Sequence, residues 1–237
     1  MRITVVIPTY NEVGSIARVL ADIPASLVSE VLVVDAGSSD GTGEVAAALG
    51  ARVIVERRRG YGRACLTGLA HARSPDTVVF LDGDYSDRPG EMARLIEPIR
   101  QGGADIVLGS RLAGHPAPGA MPWHAVLGNR LAAMLIRWLY GVALTDLGPF
   151  RAARYEVLRA IGLREMTYGW AVELVTRGPM RGYRVVEVPV SYHRRIGVSK
   201  ISGTVRGSIG AAWCILAGIV RNRLRAEPSP AESGTAT

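Results

Sequence analysis

The chain has 237 residues, 48% of them hydrophobic, which is enough for one α/β domain with a full core or for two small domains. Its formal net charge of +7 suits phosphate-bearing or anionic-lipid partners. That charge is the only argument for nucleic acid, because no aromatic-plus-basic module accompanies it, and we predict no nucleic-acid partner. The two cysteines, Cys65 and Cys214, lie far apart without a metal-ligand pattern, which argues against a disulfide framework or a zinc site.

Strands alternate with helices along the chain, and this pattern predicts a mainly parallel sheet in an α/β fold. The predicted strands cover residues 2–8, 31–34, 52–56, 77–81, 106–109 and 184–189. The predicted helices end near residue 22, cover 43–49 and 60–72, end near residue 140, and cover 203–224. We expect a Gly/Pro-rich mobile loop at 114–122 and a disordered polar tail at 225–237.

Two carboxylates separated by a glycine follow the apolar strand 77–81. Acids directly after a strand of an α/β fold lie at the carboxyl edge of the sheet, where ligands bind. Asp82 and Asp84 point the same way from an extended chain, so both can ligate one hard divalent cation. On these residues alone, a polar turn before a helix that starts at Asp87-Arg88-Pro89 is an equally open interpretation.

The turn after the first strand lacks the glycines of a dinucleotide-binding fold. It reads Pro8-Thr9-Tyr10-Asn11-Glu12 where Gly-x-Gly-x-x-Gly would be needed. Gly60-Tyr61-Gly62 has the spacing of two such glycines, but it follows three arginines and lacks the Gly-Lys-Ser/Thr ending of a P-loop. Both observations argue against a nicotinamide or P-loop nucleotide role.

Four stretches, in this order and spacing, resemble family 2 glycosyltransferases. Residues 5–12 (Val-Val-Ile-Pro-Thr-Tyr-Asn-Glu) resemble the family's opening, 33–42 (Val-Val-Asp-Ala-Gly-Ser-Ser-Asp-Gly-Thr) its second motif, and 81–84 (Leu-Asp-Gly-Asp) its metal motif. Residues 192–200 (Tyr-His-Arg-Arg-Ile-Gly-Val-Ser-Lys) resemble the Arg-x-x-Gly-x-Ser-Lys element of the polyprenyl-phosphate, or dolichyl-phosphate mannosyltransferase-like, branch. The match extends from about residue 3 to residue 202.

The resemblance implies a GT-A fold, with a Rossmann-like mainly parallel sheet, in a single catalytic domain over residues 1–224. Residues 1–110 would form the nucleotide-sugar half, 111–202 the acceptor half, and 203–224 a C-terminal amphipathic helix. The implied reaction is an inverting transfer of a hexose, mannose or glucose, from a GDP- or UDP-linked sugar to a polyprenyl or dolichyl phosphate.

The resemblance also implies a donor site. The residues that match the family's nucleotide and diphosphate positions are Pro8, Tyr10, Glu12, Asp35, Arg63, Asp82 and Gly83. Asp84, assisted by Asp82, would hold Mg²⁺ or Mn²⁺ against the diphosphate. Ala36 stands where the family often carries a second acid that reads the base, which leaves the choice between guanine and uracil open. Arg63 could equally be a solvated helix residue.

On the acceptor side the resemblance implies cations. The residues that match phosphate-holding positions are Arg111, Arg130, Arg194 and Lys200. A lipid phosphate brings its own oxyanion, so such a site needs cations more than it needs a general base. With Asp84, the predicted catalytic residues are Asp146, Arg194 and Lys200.

Two acids on the acceptor side are open to several roles. Asp146 lies in a stretch that resembles the Asp-x-x-Ser/Gly-Phe-Arg element of the same branch, and it could orient the acceptor, act as a base, or pair structurally with Arg151. Glu173 lies near the position where family members with hydroxyl acceptors carry their base.

No stretch reaches the roughly 20 apolar residues of a membrane span, and the N-terminus enters a strand without a signal peptide. We therefore expect a cytoplasmic protein with peripheral contact at the inner face of the membrane. The last helix carries an apolar face flanked by arginines, which fits either a basic interfacial helix or a core helix. That face consists of Val205, Ile209, Ala212, Leu216 and Ile219. Residues 125–144 are open to the same two interpretations.

Two further functions stay open. One is transfer to a soluble hydroxyl acceptor such as a sugar or glycerate, which would depend on Glu173 or Asp146 and little on Lys200. The other is a non-catalytic binder of nucleotide sugars or lipid head groups, against which the intact acids and cations argue.

Overall fold

The structure is a computed structural model that describes residues 1–197 and 205–224, with side chains for 1–197 and 214–224. Its strands are β1 (Ile3–Thr9), β2 (Glu30–Asp35), β3 (Arg52–Val55), β4 (Thr77–Phe80), β5 (Ile106–Pro116), β6 (Arg151–Arg154) and β7 (Val185–Tyr192). Its helices are α1 (Val13–Asp22), α2 (Thr42–Ala48), α3 (Tyr61–His71), α4 (Met92–Arg100), α5 (Trp123–Tyr140), α6 (Tyr155–Ile161), α7 (Gly169–Met180) and α8 (Val205–Leu224). A single 3₁₀ turn, Pro89–Glu91, precedes α4.

The strands form one sheet in the order β3-β2-β1-β4-β6-β5-β7. Neighbours are parallel except for β6, which runs antiparallel to both β4 and β5. Helices α1, α2 and α4 cover one face, and α3, α5, α6, α7 and α8 cover the other, so the central strands are buried on both sides. The predicted α/β class and mainly parallel sheet are confirmed.

Two strands differ most from the prediction. β5 continues to Pro116, so residues 114–116 of the predicted loop are strand, and they pair with the end of β7. Gly114 permits this approach because a Cβ there would overlap the carbonyl of Val190. β6 was not predicted, because four residues with arginines at both ends carry little strand signal; pairing with two neighbouring strands makes them a strand.

The described half of α8 packs on the core. Ile219 is fully buried, and Tyr140 donates a hydrogen bond to its carbonyl at 2.5 Å. Asn222 donates to Thr176 Oγ1 on α7 at 2.9 Å. The core interpretation therefore holds for Leu216 and Ile219, which pack on the core, while the side chains of Val205, Ile209 and Ala212 lie outside the described part. The predicted tail, 225–237, also lies outside it. None of the helices described is long and apolar enough to cross a membrane.

Candidate active site

The carboxyl ends of β1, β2 and β4 lie side by side and bring three of the predicted motifs to one edge of the sheet. Thr9 pairs in register with Asp35, and Val6 pairs with Phe80, two residues before Asp82. Gly83 packs tightly here, because a Cβ would lie 2.8 Å from Thr9 Cγ2. The acid turn of residues 82–87, which follows β4, is therefore pressed against the end of β1, and Ser15 on α1 donates to the Gly83 carbonyl at 2.7 Å.

The loops after β1 and β2 are locked together by hydrogen bonds. Asn11, at a φ of 52°, accepts from the Ser39 amide at 2.9 Å. Asp35 is buried, and its carboxylate accepts from the amide of Ser38 at 2.9 Å and from the hydroxyl of the same serine. These bonds fix the orientation of the Asp35 carboxylate at the sheet edge.

Arg59, which the sequence analysis did not single out, contacts Tyr10. Its guanidinium carbon lies 4.2 Å from the centre of the Tyr10 ring, and it also donates to the Tyr10 hydroxyl. The contact joins the segment before α3 to the loop after β1. The sequence shows the run of three arginines, Arg57–Arg59, but it does not reveal which of them contacts Tyr10.

The acid turn holds carboxylate oxygens without partners. Asp84 accepts from the Ser86 amide at 2.9 Å and from its hydroxyl at 2.6 Å. Within the described ranges, Asp82 Oδ1 and both carboxylate oxygens of Asp87 are buried and have no hydrogen-bond partner. Burial, with the charge of Asp84 added, raises the pKa of Asp82 to about 7. Burial also raises the pKa of Asp87 well above its usual range.

These residues fit a divalent cation. Their oxygens are hard donors, and buried carboxylates with unpartnered oxygens gain most from an added positive charge. Across residues 1–197 and 214–224, no three His, Cys, Asp or Glu side chains are grouped so that they could hold a metal ion. Mg²⁺ commonly takes only one or two carboxylates and completes its shell with substrate phosphates and water. Asp84 and Asp82 match that pattern.

Arg195 reaches this cluster, whereas Arg194 does not. Arg195 lies 2.9 Å from Glu12 Oε1 and 3.3 Å from Asp84 Oδ2. The Ile196 amide donates to the Asp84 carbonyl at 3.0 Å, and the His193 amide to the Ser86 carbonyl at 2.8 Å. The segment 193–197 therefore lies against the acid turn.

Arg194 is exposed and donates to the Pro118 carbonyl at 3.3 Å, whereas its neighbour Arg195 contacts the acid turn. The predicted role of Arg194 in holding an acceptor phosphate stays a prediction. Lys200, the other predicted cation of this element, lies outside the described residues.

Asp146 is tied to Arg111. Asp146 Oδ2 accepts from Arg111 Nε at 2.7 Å, and Asp146 Oδ1 accepts from Arg111 Nη2 at 2.8 Å. The Arg111 backbone amide also donates to Asp146 Oδ2 at 3.0 Å. Arg151 instead donates to the carbonyls of Gly148 and Leu147, so the predicted alternative of an Asp146–Arg151 pair is wrong. Arg111 also lies 4.9 Å from the centre of the Tyr192 ring. The arrangement fixes the direction of the Arg111 guanidinium.

Glu173 also has its oxygens engaged. Oε2 accepts from the amides of Arg164 and Glu165 at 2.7 and 2.8 Å, and Oε1 lies 2.8 Å from Arg177. The carboxylate thereby holds the loop before α7, which gives it a structural task.

The remaining predicted residues lie around this edge and on α5. Pro8 is half-buried near the end of β1. Arg63 is half-buried in the first turn of α3, and its Nε is buried without a hydrogen-bond partner in the part of the chain described. Arg130 is exposed on α5.

Comparison with known proteins identifies the class. The chain is similar in structure to a solved glycosyltransferase, glucosyl-3-phosphoglycerate synthase from Mycobacterium tuberculosis. That structure contains Mn²⁺, UDP and glucosyl-3-phosphoglycerate; the TM-score is 0.75 at 25% identity, covering 95% of this chain and 81% of that one. The fold is that of a GT-A glycosyltransferase, as predicted.

The family follows from sequence. Glycosyl transferase family 2 matches residues 4–162. An uncharacterised glycosyltransferase of Mycobacterium tuberculosis is 41% identical, over 87% of this chain and 93% of that protein. An undecaprenyl-phosphate mannosyltransferase of Micrococcus luteus is 36% identical, over 87% of this chain and 90% of that protein. The chain belongs to glycosyl transferase family 2. The predictions of the family and of an enzyme are confirmed.

Proposed function

We propose that this glycosyltransferase moves a hexose, mannose or glucose, from a GDP- or UDP-linked sugar to a polyprenyl phosphate, with inversion and with a divalent cation. The names of relatives support the acceptor class. The observation that carries the proposal concerns the two candidate general bases, Asp146 and Glu173, whose carboxylate oxygens are already engaged. Both hold their proton-accepting oxygens in hydrogen bonds and ion pairs.

A hydroxyl acceptor needs a group that removes its proton as the new bond forms. Asp146 would have to release Arg111, and Glu173 would have to release Arg177 and two backbone amides, before either could serve. A phosphate acceptor is already an anion and needs cations that hold it in line with the anomeric carbon. A site whose acids orient arginines suits the second kind of acceptor.

On the donor side, Asp35 and Tyr10 would bind the nucleoside, because both lie where the first two motifs meet at the sheet edge. Asp84 and Asp82 would hold the cation, which when bound neutralises the negative charge on the departing nucleotide diphosphate. Arg63 has a buried Nε available to a phosphate oxygen.

On the acceptor side, Arg111 would bind the lipid phosphate in the direction that Asp146 sets. Arg194, Arg195 and Lys200 belong to the family element that we propose holds the lipid phosphate, and Arg195 is the member that contacts the acid turn. Arg130 stays a proposed phosphate contact from α5. With a lipid acceptor, we propose that the enzyme contacts the membrane peripherally, at its inner face.

The second candidate is transfer to a soluble hydroxyl, and one finding favours it. The similar solved structure holds glucosyl-3-phosphoglycerate, the product of a soluble acceptor. In that case Glu173 or Asp146 would change partners when the acceptor binds.

An acceptor comparison separates the two. Purified enzyme with Mn²⁺ and labelled donors would be offered polyprenyl phosphate, the matching polyprenol, or 3-phosphoglycerate. We expect label only in the polyprenyl phosphate product, and we expect Glu173→Gln, compared per folded protein, to keep its rate within about threefold, a change of less than about 1 kcal/mol in barrier. Product on a hydroxyl acceptor alone, abolished by Glu173→Gln, would establish the second candidate instead.

A further inference from the structure

Helix α5 exposes a stripe of large apolar side chains. The stripe consists of Trp123, Leu127, Leu131, Met134 and Trp138, all exposed, with the two tryptophans 77% and 80% accessible. Their spacings of three and four residues put them on one side of the helix. Trp123 and Trp138 are separated by about 22 Å along the axis at the usual rise per residue.

The opposite side of α5 is also apolar. Ala132, Ala133 and Ile136 are buried in the core. The stripe is therefore not the face that holds α5 on the protein. Exposed apolar surface of this size, carried on one side of an 18-residue helix, marks a surface that contacts another phase or molecule.

The charges on α5 are all positive. Arg130 and Arg137 are exposed, and the helix contains no acidic residue. Arg221 and Arg223 are exposed on α8, whose end lies beside the end of α5 through the Tyr140–Ile219 hydrogen bond. Apolar side chains with terminal tryptophans and flanking arginines are the composition of helices that lie in a membrane interface.

We infer that α5 lies flat in the head-group layer of an anionic membrane, with the stripe inserted and the arginines on lipid phosphates. By sequence, residues 125–144 and the last helix were both open to such a role. The described half of α8 uses its apolar side for packing, whereas α5 leaves its stripe free of the core.

A second copy of the chain is the other occupant to consider. Two-fold symmetric contacts bring the same patch of each copy together. Stripe against stripe would crowd Arg130 and Arg137 of one copy toward those of the other, without an acid on the helix to pair them. Anionic lipid supplies the missing negative charge, and a second copy does not.

The position of α5 adds a reason that rests on the proposed function. The turn before α5 touches the acceptor-side segment, because Arg194 donates to the Pro118 carbonyl and a Cβ at Gly119 would overlap its guanidinium. Docking by α5 would bring this segment, and with it the acid turn, to the lipid surface where a polyprenyl phosphate resides.

Vesicle binding tests the inference without donor or acceptor. Full-length protein would be sedimented with vesicles of phosphatidylglycerol and phosphatidylcholine, or of phosphatidylcholine alone. We expect the wild type to bind the anionic vesicles. Binding by Trp123→Ser/Trp138→Ser should be at least about tenfold weaker, because each tryptophan that inserts into the membrane contributes strongly to partitioning. Arg137→Glu should weaken binding to anionic vesicles only. Val55→Ser, which changes an exposed apolar residue on β3, is the matched control and should bind normally.

Two results would overturn the inference. One is vesicle binding that the double tryptophan variant leaves unchanged although its melting temperature matches the wild type. The other is a wild-type dimer that the double variant converts to monomer, with no vesicle binding by either. Because the assay contains no substrate, binding without transfer would contradict the proposed function alone, and transfer without binding would contradict this inference alone.

Discussion

Arg195 holds two carboxylates at once, Glu12 on α1's leading loop and Asp84 on the acid turn. Arg195 therefore neutralises part of the negative charge of these carboxylates, which would otherwise attract the proposed cation. A divalent ion at Asp84 would compete for the same carboxylate, so Arg195 would change partners if the proposed donor and metal bind there. Phosphate oxygens are the preferred alternative partners of a guanidinium.

We predict that Arg195→Gln lowers kcat by at least about tenfold, because a charge-assisted hydrogen bond to phosphate is worth about 1.5–3 kcal/mol. Mn²⁺ binding without donor, measured by calorimetry, should be unchanged or tighter, because the competing cation is gone. Arg194→Gln is the control and should leave Mn²⁺ binding as it is. Weaker Mn²⁺ binding by Arg195→Gln would contradict this role.

The pKa of Asp82, raised to about 7, predicts a pH dependence of metal stabilisation. The unfolded chain ionises Asp82 near pH 4, whereas the folded protein does so only near its raised value, so ionised Asp82 costs stability increasingly from about pH 4 to 7. Bound metal removes that cost. We therefore expect the Mn²⁺-induced rise in melting temperature to be larger at about pH 8 than at about pH 6.

Asp82→Asn is the control for this pH dependence, because the amide does not ionise. Its Mn²⁺-induced shift should vary less with pH across the same interval. An equal pH dependence in the wild type and in Asp82→Asn would show that another group titrates.

At the scale of elements, α3 approaches the sheet through Gly68. A Cβ there would overlap Cγ1 of Val6 and lie 3.2 Å from Val34 Cγ2. We predict that Gly68→Ala lowers the free energy of unfolding by about 1–3 kcal/mol through overpacking, measured by denaturant titration.

Gly128→Ala on α5 is the matched control, because a Cβ at this helical position meets nothing within 4 Å. It should raise the free energy of unfolding by up to about 1 kcal/mol through helix propensity. Equal destabilisation by both variants would contradict the packing that the structure shows.

Helices and strands with clear periodicity could be predicted from the sequence, and β1, β2 and β4 begin and end within about two residues of their expected bounds, the usual precision at strand and helix ends. β6 could not, because its strand character comes from pairing with β4 and β5 rather than from its own residues. The sequence likewise left α5 and α8 each open to a core or an interfacial role. Which apolar face is covered depends on packing between distant elements.

At the scale of the whole molecule, the grouping of the first three motifs was predictable because parallel strands end at one edge of the sheet. That rule brought Glu12, Asp35 and Asp82 together from three motifs. The Arg111–Asp146 ion pair was not predictable. Nor was it predictable that Arg195, rather than Arg194, contacts the acid turn. They depend on loop conformations that join residues tens to hundreds of positions apart.

The membrane surface inferred for α5 predicts a dependence on acceptor length. Trp123→Ser/Trp138→Ser should raise the KM for a long-chain polyprenyl phosphate in anionic vesicles by at least about fivefold, since the enzyme concentrates less on the lipid surface. With a short, water-soluble acceptor phosphate, the variant should match the wild type. A loss of rate with both acceptors would indicate damage to the site rather than to membrane docking.

The proposed metal-dependent transfer is tested by measuring labelled hexose moved to polyprenyl phosphate by the wild type and by Asp84→Ala, each with Mn²⁺ and with chelator. We predict an organic-phase product from the wild type that chelation abolishes. Asp84→Ala should lower the rate at least about a hundredfold, because a bound metal supplies several kcal/mol of charge stabilisation, while its melting temperature shows an intact fold. A lipid product of equal yield from Asp84→Ala, or one that survives chelation, would contradict the account.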